Sequence, residues 1–326
     1  MGKALRIYSG RNRPDLTPVY LLFERLTGVR TTVEKVYHHD AEKRVLAERA
    51  DPQADLLLTN SQLALELVRE TGVFEPYAAP VAKAYPDWLR APDHSWLSFT
   101  AWPRAAMVNR TVLADSSAWP ARLEDLTDAR FRGAVACAAL VEMTTVAQFA
   151  ALRVVKGDAW TTGLIDRLLA NGMRVYASNL RTREALARER KAVAIANSSN
   201  IHVFYLEGNP VGEAWLDQDG GMGTHVEAHT VALLAGAKHP AEARAFVDFL
   251  LSPEIQTLLA RLFGETPVNA KAAHGPVRPL SEIKRMDAPL AKVAALIEST
   301  VTLLRDKGFD VRDDPVGGAS PPAPKG

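Results

Sequence analysis

The stretch from Ala4 to Tyr37, "ALRIYSGRNRPDLTPVYLLFERLTGVRTTVEKVY", combines two apolar runs with an amphipathic segment between them. Ala4 to Tyr8 and Arg30 to Tyr37 have the length and composition of strands, and Thr17 to Leu26 has the pattern of a helix that ends at Gly28. A strand, a helix and a strand in this order predict two parallel strands joined by a right-handed crossover.

The same alternation continues with a helix from Ala41 to Arg49, the strand "ADLLLTN" from Ala54 to Asn60 and a helix from Ser61 to Glu70. The sequence therefore predicts an α/β fold with a doubly wound sheet. In such sheets ligands lie beyond the carboxyl ends of the strands. Residues 9 to 13, 38 to 40 and 59 to 61 are the corresponding positions.

The later part of the chain repeats this logic. Strands are predicted over residues 132 to 140, 173 to 178 and 229 to 237, a strand and turn over 192 to 199, and helices over 144 to 156 and 159 to 170. Residues 239 to 262 predict two amphipathic helices that are split at Pro253. The segment from 313 to 326 is rich in Pro, Gly and Ala and is expected to be disordered.

Composition limits the possible partners. The 326 residues favour two lobes, and 39 basic residues nearly balance 38 acidic ones, which argues against a nucleic-acid partner or an anionic membrane surface. The single cysteine, Cys137, excludes an internal disulfide and any multi-cysteine metal site. We find no apolar run of membrane-spanning length, and Met1-Gly2-Lys3 leads into a strand without an apolar signal region.

Several stretches resemble, in order, the periplasmic solute-binding components of ABC importers, and most closely the branch with the ferric-ion-binding proteins. They lie between Leu5 and Asn269 and read "LRIYSGRNRPDLTPVYLLFERLTGV", "ADLLLTN", "TGVFEPY", "PRAAMVNRT", "LEDLTDARFRGAVA", "VYASN", "HTVALLAGAKHPAEARAFVDFLLSPEIQTLLA" and "ETPVN". The resemblance implies two doubly wound α/β lobes joined by two hinge strands, the type II periplasmic-binding-protein fold.

The chain is expected to cross between lobes near Arg104 and again near Glu227. Lobe one would then comprise residues 1–104 and 228–279, and lobe two 105–227 and 280–312. The resemblance further implies a monomer that is exported, with its leader removed, and that delivers a small-molecule ligand to a membrane permease. We expect neither a cofactor nor catalysis, because the chain has no G-x-S-x-G motif, no glycine-rich phosphate loop and no helical zinc-protease motif.

The expected iron site is altered in this sequence. Ferric-binding relatives hold the metal with two neighbouring tyrosines, often helped by a histidine in the first loop and a glutamate after the third strand. The corresponding positions here are Ser198, Ser199, Asn12 and Asn60. Ferric iron needs anionic oxygen donors and serine hydroxyls do not ionise near neutral pH, so this iron site is absent.

An anion-binding serine of those relatives also has a different counterpart, Glu142, just ahead of a predicted helix. Its carboxylate is expected either to occupy the helix N-terminus itself or to face a cationic or hydroxylated ligand. The predicted cleft is otherwise rich in neutral polar groups with a few charges, which suits a small phosphorylated, polyhydroxyl or zwitterionic solute. The predicted ligand-binding residues are Ser9, Arg11, Asn12, Asn60, Arg104, Glu142, Thr144, Thr145, Asn179, Ser198, Ser199 and Glu227.

Metal binding without tyrosines is the alternative. In "HVEAH" the side chains of His225, Glu227 and His229 share one face of a strand, because strand side chains alternate. Imidazole and carboxylate groups are suitable ligands for iron or another transition metal. The competing interpretation is that these residues bond to backbone or water in a hinge strand.

Overall fold

A computed structural model of the protein describes residues 3–11, 16–36 and 40–312. The predicted site residue Asn12 and the predicted disorder of residues 313–326 lie outside these ranges. The strands are β1 (Ala4–Ser9), β2 (Arg30–Lys35), β3 (Leu56–Thr59), β4 (Phe74–Glu75), β5 (Leu97–Asn109), β6 (Val135–Ala138), β7 (Arg174–Tyr176), β8 (Val193–Asn197), β9 (Val211–Ala214), β10 (Val226–Leu234) and β11 (Thr266–Pro267).

The helices surround these strands and include the two that were predicted on either side of Pro253. They are α1 (Thr17–Thr27), α2 (Asp40–Ala47), α3 (Gln62–Glu66), α4 (Met143–Lys156), α5 (Asp158–Ala170), α6 (Asn179–Arg188), α7 (Ser198–Leu206), α8 (Pro240–Leu251), α9 (Pro253–Phe263) and α10 (Leu290–Asp306). Within the described ranges, no helix has both the length and the apolar character that crossing a membrane requires.

The first lobe is built on the predicted parallel strands. β1 lies between β2 and β3 and runs parallel to both, which confirms the predicted parallel pairing. β10 then pairs antiparallel with β3 on one side and with β5 on the other. The apolar face of α1 packs against α8, where the ring of Phe23 meets Phe246 edge-on at 5.0 Å.

The second lobe repeats this arrangement with β6 between β7 and β8, parallel to both. Its core is covered by α4, α5 and α10, and Phe149 of α4 contacts Phe309, which follows α10, at 5.7 Å. Two lobes with mixed α/β sheets confirm the predicted fold class.

One long strand joins the lobes. Residues 97–103 of β5 pair with β10 in the first sheet, whereas residues 104–108 pair with β8 in the second. The second crossing lies beside the first, because the Arg104 backbone N–H donates to the carbonyl of His225 at 2.8 Å. The lobes are therefore connected by adjacent backbone segments within a continuous sheet.

The main difference from the predicted elements concerns residues 198–206. Residues 192–199 were predicted as a strand and turn, but Ser198 is the first residue of α7. The helix was missed because its apolar residues do not lie on one side. Ile201 and Phe204 are buried, but Val203, Tyr205 and Leu206 on the other sides of the helix are apolar too, so the sequence shows no amphipathic pattern. Both serines consequently lie in the first turn of a helix.

Candidate functional site

The two strand segments that join the lobes carry a band of buried polar side chains on one face. Leu97, Phe99 and Ala101 of β5 point into the core of lobe one, so the alternate residues point the other way. Trp102 is paired with Glu227 across the strands, and Thr100 with His229. We call this band the polar floor, and its buried members are Thr100, Trp102, Arg104, His225, Glu227 and His229.

At the lobe-one end of the polar floor, the charge of Arg11 is matched within the protein. The Arg11 guanidinium donates to Glu265 at 2.5 Å, and both side chains are almost completely buried. Glu265 also accepts from the Thr100 hydroxyl at 2.5 Å and lies 3.2 Å from the His229 ring. We call these four residues the Arg11 cluster.

Electrostatics in the Arg11 cluster favour one ionised pair. Burial alone would raise the pKa of Glu265, but the charge of Arg11 and the bond from His229 hold that pKa well below its ordinary value. Burial, together with the charge of Arg11, lowers the pKa of His229. The cluster therefore holds an ionised Arg11–Glu265 pair beside a neutral imidazole, and Arg11 brings no net charge to a ligand.

Arg104 was predicted to face the ligand, but its donors are used inside lobe two. Its guanidinium donates to the Gln148 side chain at 2.9 Å, to Asn197 at 2.6 Å and to the carbonyl of Ile195 at 3.4 Å. The side chain is 1% exposed. These contacts join β5 to β8 and α4, so the bonded donors of Arg104 hold β5 against the other elements of lobe two.

Glu142 also differs from its prediction. It precedes α4 but makes no side-chain bond to that helix. Its carboxylate accepts instead from the backbone N–H of Asn179 at 3.0 Å, at the start of α6. The negative carboxylate therefore stabilises the positive N-terminal end of α6. Asn179, another predicted ligand residue, bonds to Glu142 through its backbone N–H.

The predicted hydroxyl residues fall into two groups. Thr145 is completely buried beside the Cys137 thiol, whose pKa burial raises to about 11, so Thr145 belongs to the core of lobe two. Ser9 is also buried and accepts from the Arg11 backbone N–H at 3.4 Å. Thr144, Ser198 and Ser199 remain at helix N-termini that border the polar floor.

Several buried polar atoms around the polar floor have no partner among the described residues. Asn60 lies at the floor, because its carbonyl accepts from the Trp102 indole at 2.9 Å. Ser198 follows Asn197, and Thr144 lies one helical turn before Gln148, so both adjoin the contacts of Arg104. The unpartnered atoms are Arg11 Nε and Nη1, Asn60 Oδ1, Thr144 Oγ1, Ser198 Oγ, His225 Nε2 and Glu227 Oε2.

Buried polar groups in proteins are almost always hydrogen-bonded to protein, water or ligand. Unpartnered atoms that come from both lobes and from β10 are therefore candidates for contact with water or a ligand. Asn60, Thr144, Ser198 and Glu227, four of the predicted ligand residues, carry such atoms, and their role in binding a ligand stays a prediction.

The predicted metal set does not assemble. His225 Nε2 lies 3.5 Å from Glu227 Oε1, but the His229 ring is bonded to Thr100 at 2.9 Å and lies next to Glu265. Over residues 3–11, 16–36 and 40–312, no group of three His, Cys, Asp or Glu side chains is placed to hold a metal ion. His225, Glu227 and His229 share a strand face as predicted, yet only the first two face each other.

Comparison with known families agrees with this architecture. The profile of the family described as bacterial extracellular solute-binding protein matches residues 51–288. The chain belongs to this family. Among curated relatives of this solute-binding protein, iron uptake protein A1 of Synechocystis sp. is 24% identical over 318 residues, which cover 94% of this chain and 87% of the relative.

Solved structures share the fold of this solute-binding protein. Iron-bound HitA from Pseudomonas aeruginosa has a TM-score of 0.82 at 22% identity and covers 94% of this chain and 99% of its own. The Trichodesmium protein IdiA (FutA), in complex with iron and citrate, has a TM-score of 0.79 at 21% identity. This match covers 94% of this chain and 100% of the Trichodesmium chain. AfuA from Actinobacillus pleuropneumoniae, with bound fructose-6-phosphate, has a TM-score of 0.77 at 21% identity. This match covers 94% of this chain and 98% of the AfuA chain.

A cavity of about 130 Å³ in this solute-binding protein was not predicted from the sequence. We call it the α7 cavity. Residues of α7, β9 and Trp215 form one wall, and Thr266 with residues 276–278 forms the other. Of the lining residues, only Ser198 was a predicted site residue. Its polar lining residues Glu213 and Arg278 are far apart in the sequence, and no motif links them.

Proposed function

We propose that this solute-binding protein is the substrate-capturing component of an ABC importer and that its cargo is iron, bound as a complex with a small chelator that carries oxygen donors. The observation that carries the proposal is the set of unpartnered buried polar atoms contributed by both lobes around the polar floor. They are oxygen atoms of amide, hydroxyl and carboxylate groups together with two guanidinium nitrogens of Arg11 and the Nε2 atom of His225, and they suit a polar ligand that brings its own metal donors.

Iron as the cargo is supported by the relative named for iron uptake and by the structural neighbours with bound iron. These names favour iron over the purely organic solute that the cleft composition predicted. They do not require direct contact between the metal and this protein.

A chelate is supported because the site has too few anionic oxygen donors to hold ferric iron by itself. Ferric iron needs anionic oxygen ligands. Glu265 is paired with Arg11 and Glu142 is bonded to α6, so Glu227 is the acidic residue of the polar floor with an unpartnered oxygen within the described ranges. A single carboxylate cannot fill the coordination sphere, whereas a chelator with several carboxylates supplies the remaining donors.

In this proposal the protein recognises the organic shell of the complex. Asn60 from lobe one and Thr144, Ser198 and Ser199 from lobe two bond to the oxygen atoms of the chelator, and Glu227 faces a hydroxyl group or the metal. Closure of the lobes removes water from the cleft, so every buried polar atom of the ligand needs such a partner.

The remaining parts of the proposal follow from the family. We propose that the protein acts outside the cytoplasm as a monomer, passes its cargo to a membrane permease and catalyses no reaction. Fractionation of the native host should then find the mature protein outside the cytoplasm. A mature protein that stays in the cytoplasm would contradict this part.

The first test compares iron bound to citrate with metal-free citrate in a thermal-shift assay. Ferric citrate at 100 times its Kd is expected to stabilise the folded state by about 2.7 kcal/mol. The visible spectrum of the loaded protein is expected to show no tyrosinate charge-transfer band, because Ser198 and Ser199 stand in place of a tyrosine pair. A strong band of that kind, or the loss of iron binding in His225→Ala, would show that the protein coordinates the metal directly.

A second prediction concerns the two serines. Replacing both Ser198 and Ser199 by alanine is expected to weaken binding of ferric citrate by roughly 1–3 kcal/mol, or about 5- to 150-fold, because two hydrogen bonds to the ligand are lost. The exposed pair Ser116 and Ser117 offers a matched control. Calorimetric titration that finds the same Kd for S198A/S199A and S116A/S117A would remove the serines from the site.

A metal-free organic solute is the second candidate, and the neutral amide and hydroxyl groups at the polar floor favour it. The structural neighbour with fructose-6-phosphate has the same fold. If sugar phosphates raise the melting temperature without metal and ferric citrate does not, the cargo is the organic solute.

A further inference from the structure

We propose that the α7 cavity is a second compartment of the ligand site, and that it accepts a carboxylate arm of the ligand between Arg278 on one wall and Ser198 and His202 on the other. This inference rests on the proposed function, because the arm belongs to the organic shell of the cargo. The compartment itself is defined by residues outside the polar floor.

The α7 cavity shares Ser198 with the set of unpartnered atoms at the polar floor. His202 lies one helical turn further along α7 and lines the same space. In this proposal, a ligand bound at the polar floor extends past Ser198 along this helix.

The polar groups of the cavity are suited to an anion. Ser198 Oγ and His202 Nε2 are both buried without a partner among the described residues. Both are able to donate a hydrogen bond, since burial lowers the pKa of His202 and its neutral ring carries one N–H. Arg278 supplies the positive charge from the opposite wall.

Arg278 is held in place without losing its charge. Its guanidinium lies 5.6 Å from the centre of the Trp215 ring, and its nearest acidic partner, Glu282, is 3.9 Å away and mostly exposed. An exposed ion pair at that distance contributes little. The guanidinium is therefore able to pair with a ligand carboxylate.

An ionised Glu213 would repel an anion in the cavity, but this side chain is mostly protonated at neutral pH. Burial raises the pKa of Glu213 to about 8, although the charge of Arg278 acts in the opposite direction. At neutral pH the side chain is mostly a neutral carboxylic acid, which donates a hydrogen bond instead of repelling the ligand. Arg278, His202 and Tyr205 are the other titratable groups that line this space.

The size and walls of the cavity limit what it accepts. Its volume of about 130 Å³ is well above the roughly 10–15 Å³ that one water molecule needs, so the cavity has room for several waters or a small ligand group. Ile201, Val211, Pro276 and Val277 make much of the wall apolar. Apolar walls with a few convergent polar groups are typical of small-molecule sites, and this one fits a short aliphatic carboxylate.

The test uses metal-free citrate and succinate as probes of the full-length protein. Binding is followed by tryptophan emission, and the signal of Trp215 is identified by comparison with Trp215→Phe. We expect saturable binding to the wild type, at least tenfold weaker binding to Arg278→Gln, and no binding to Val277→Trp, whose indole fills the cavity. Arg25→Gln removes an exposed arginine of α1 and should leave the Kd unchanged.

The outcomes separate this inference from the proposed function. If neither carboxylate binds the wild type, or if Arg278→Gln and Val277→Trp bind both probes as well as Arg25→Gln does, the second compartment is wrong. Ferric citrate that still binds through Asn60 and the serines would then leave the proposed function intact. If the carboxylates bind through Arg278 but iron complexes cause no thermal shift, the compartment stands and the iron proposal fails.

Discussion

Replacing Glu265 by alanine is expected to lower the free energy of unfolding by about 3–5 kcal/mol, because Arg11 would keep its charge in a buried position without a counter-charge. Glu265 is completely buried and accepts bonds from Arg11, Thr100 and His229. Its removal leaves the donors of Arg11, Thr100 and His229 without their acceptor. Chemical denaturation followed by circular dichroism measures the effect.

The control for this prediction removes both charges. In Arg11→Met/Glu265→Leu no ion remains in the buried space, so most of the lost stability should return, as it does when hydrophobic residues replace buried ion pairs elsewhere. If Glu265→Ala costs less than about 1 kcal/mol, or if the double variant is no more stable than the single one, the Arg11 cluster is not a coupled ion pair.

The second large effect is a pH dependence that originates at Glu213. The pKa of Glu213 is raised from 4.5 to about 8, so ionisation of this side chain is less favourable in the folded state than in the unfolded state. Glu213 therefore lowers the stability of the protein increasingly as the pH rises from about 4.5 to 8. Below pH 4.5 the side chain is protonated in both the folded and unfolded states and has no such effect. Glu213→Gln should therefore match the wild type at pH 4.5 and be more stable at pH 9.

The expected difference at pH 9 is roughly 2–3 kcal/mol. The full change in pKa corresponds to an upper limit of about 5 kcal/mol, and the partial exposure of the side chain reduces it. Glu254→Gln, on the exposed face of α9, is the matched control and should follow the wild type at every pH. A difference between Glu213→Gln and wild type that stays constant from pH 4.5 to 9 would show that folding does not shift the pKa of Glu213.

The fold was predictable because its signals are local. The strand and helix patterns of Ala4 to Tyr37 lie within a few turns of chain, and the structure places β1, α1 and β2 over nearly the same residues. Gly28 adopts a left-handed conformation with φ of 70° at the end of α1, where the sequence predicted the helix to stop.

The charges of the site were not predictable in the same way. Arg11 and Glu142 appeared to favour ligands of opposite charge, but each is bonded to a group that the sequence does not connect with it. Arg11 pairs with Glu265, 254 positions later, and Glu142 bonds to the backbone of Asn179. Residue type predicted which positions are polar, whereas tertiary packing determines which of them are free to bind a ligand.

The position of β10 also affects how the protein is made. In lobe one this strand lies between β3 and β5, yet it is synthesised after every strand of lobe two. Until Val226 to Leu234 leave the ribosome, β3 and β5 have unpaired edges, which are open to wrong pairing or aggregation. Lobe one thus completes its sheet late, and a chaperone has a long interval in which to bind the nascent chain before lobe one closes.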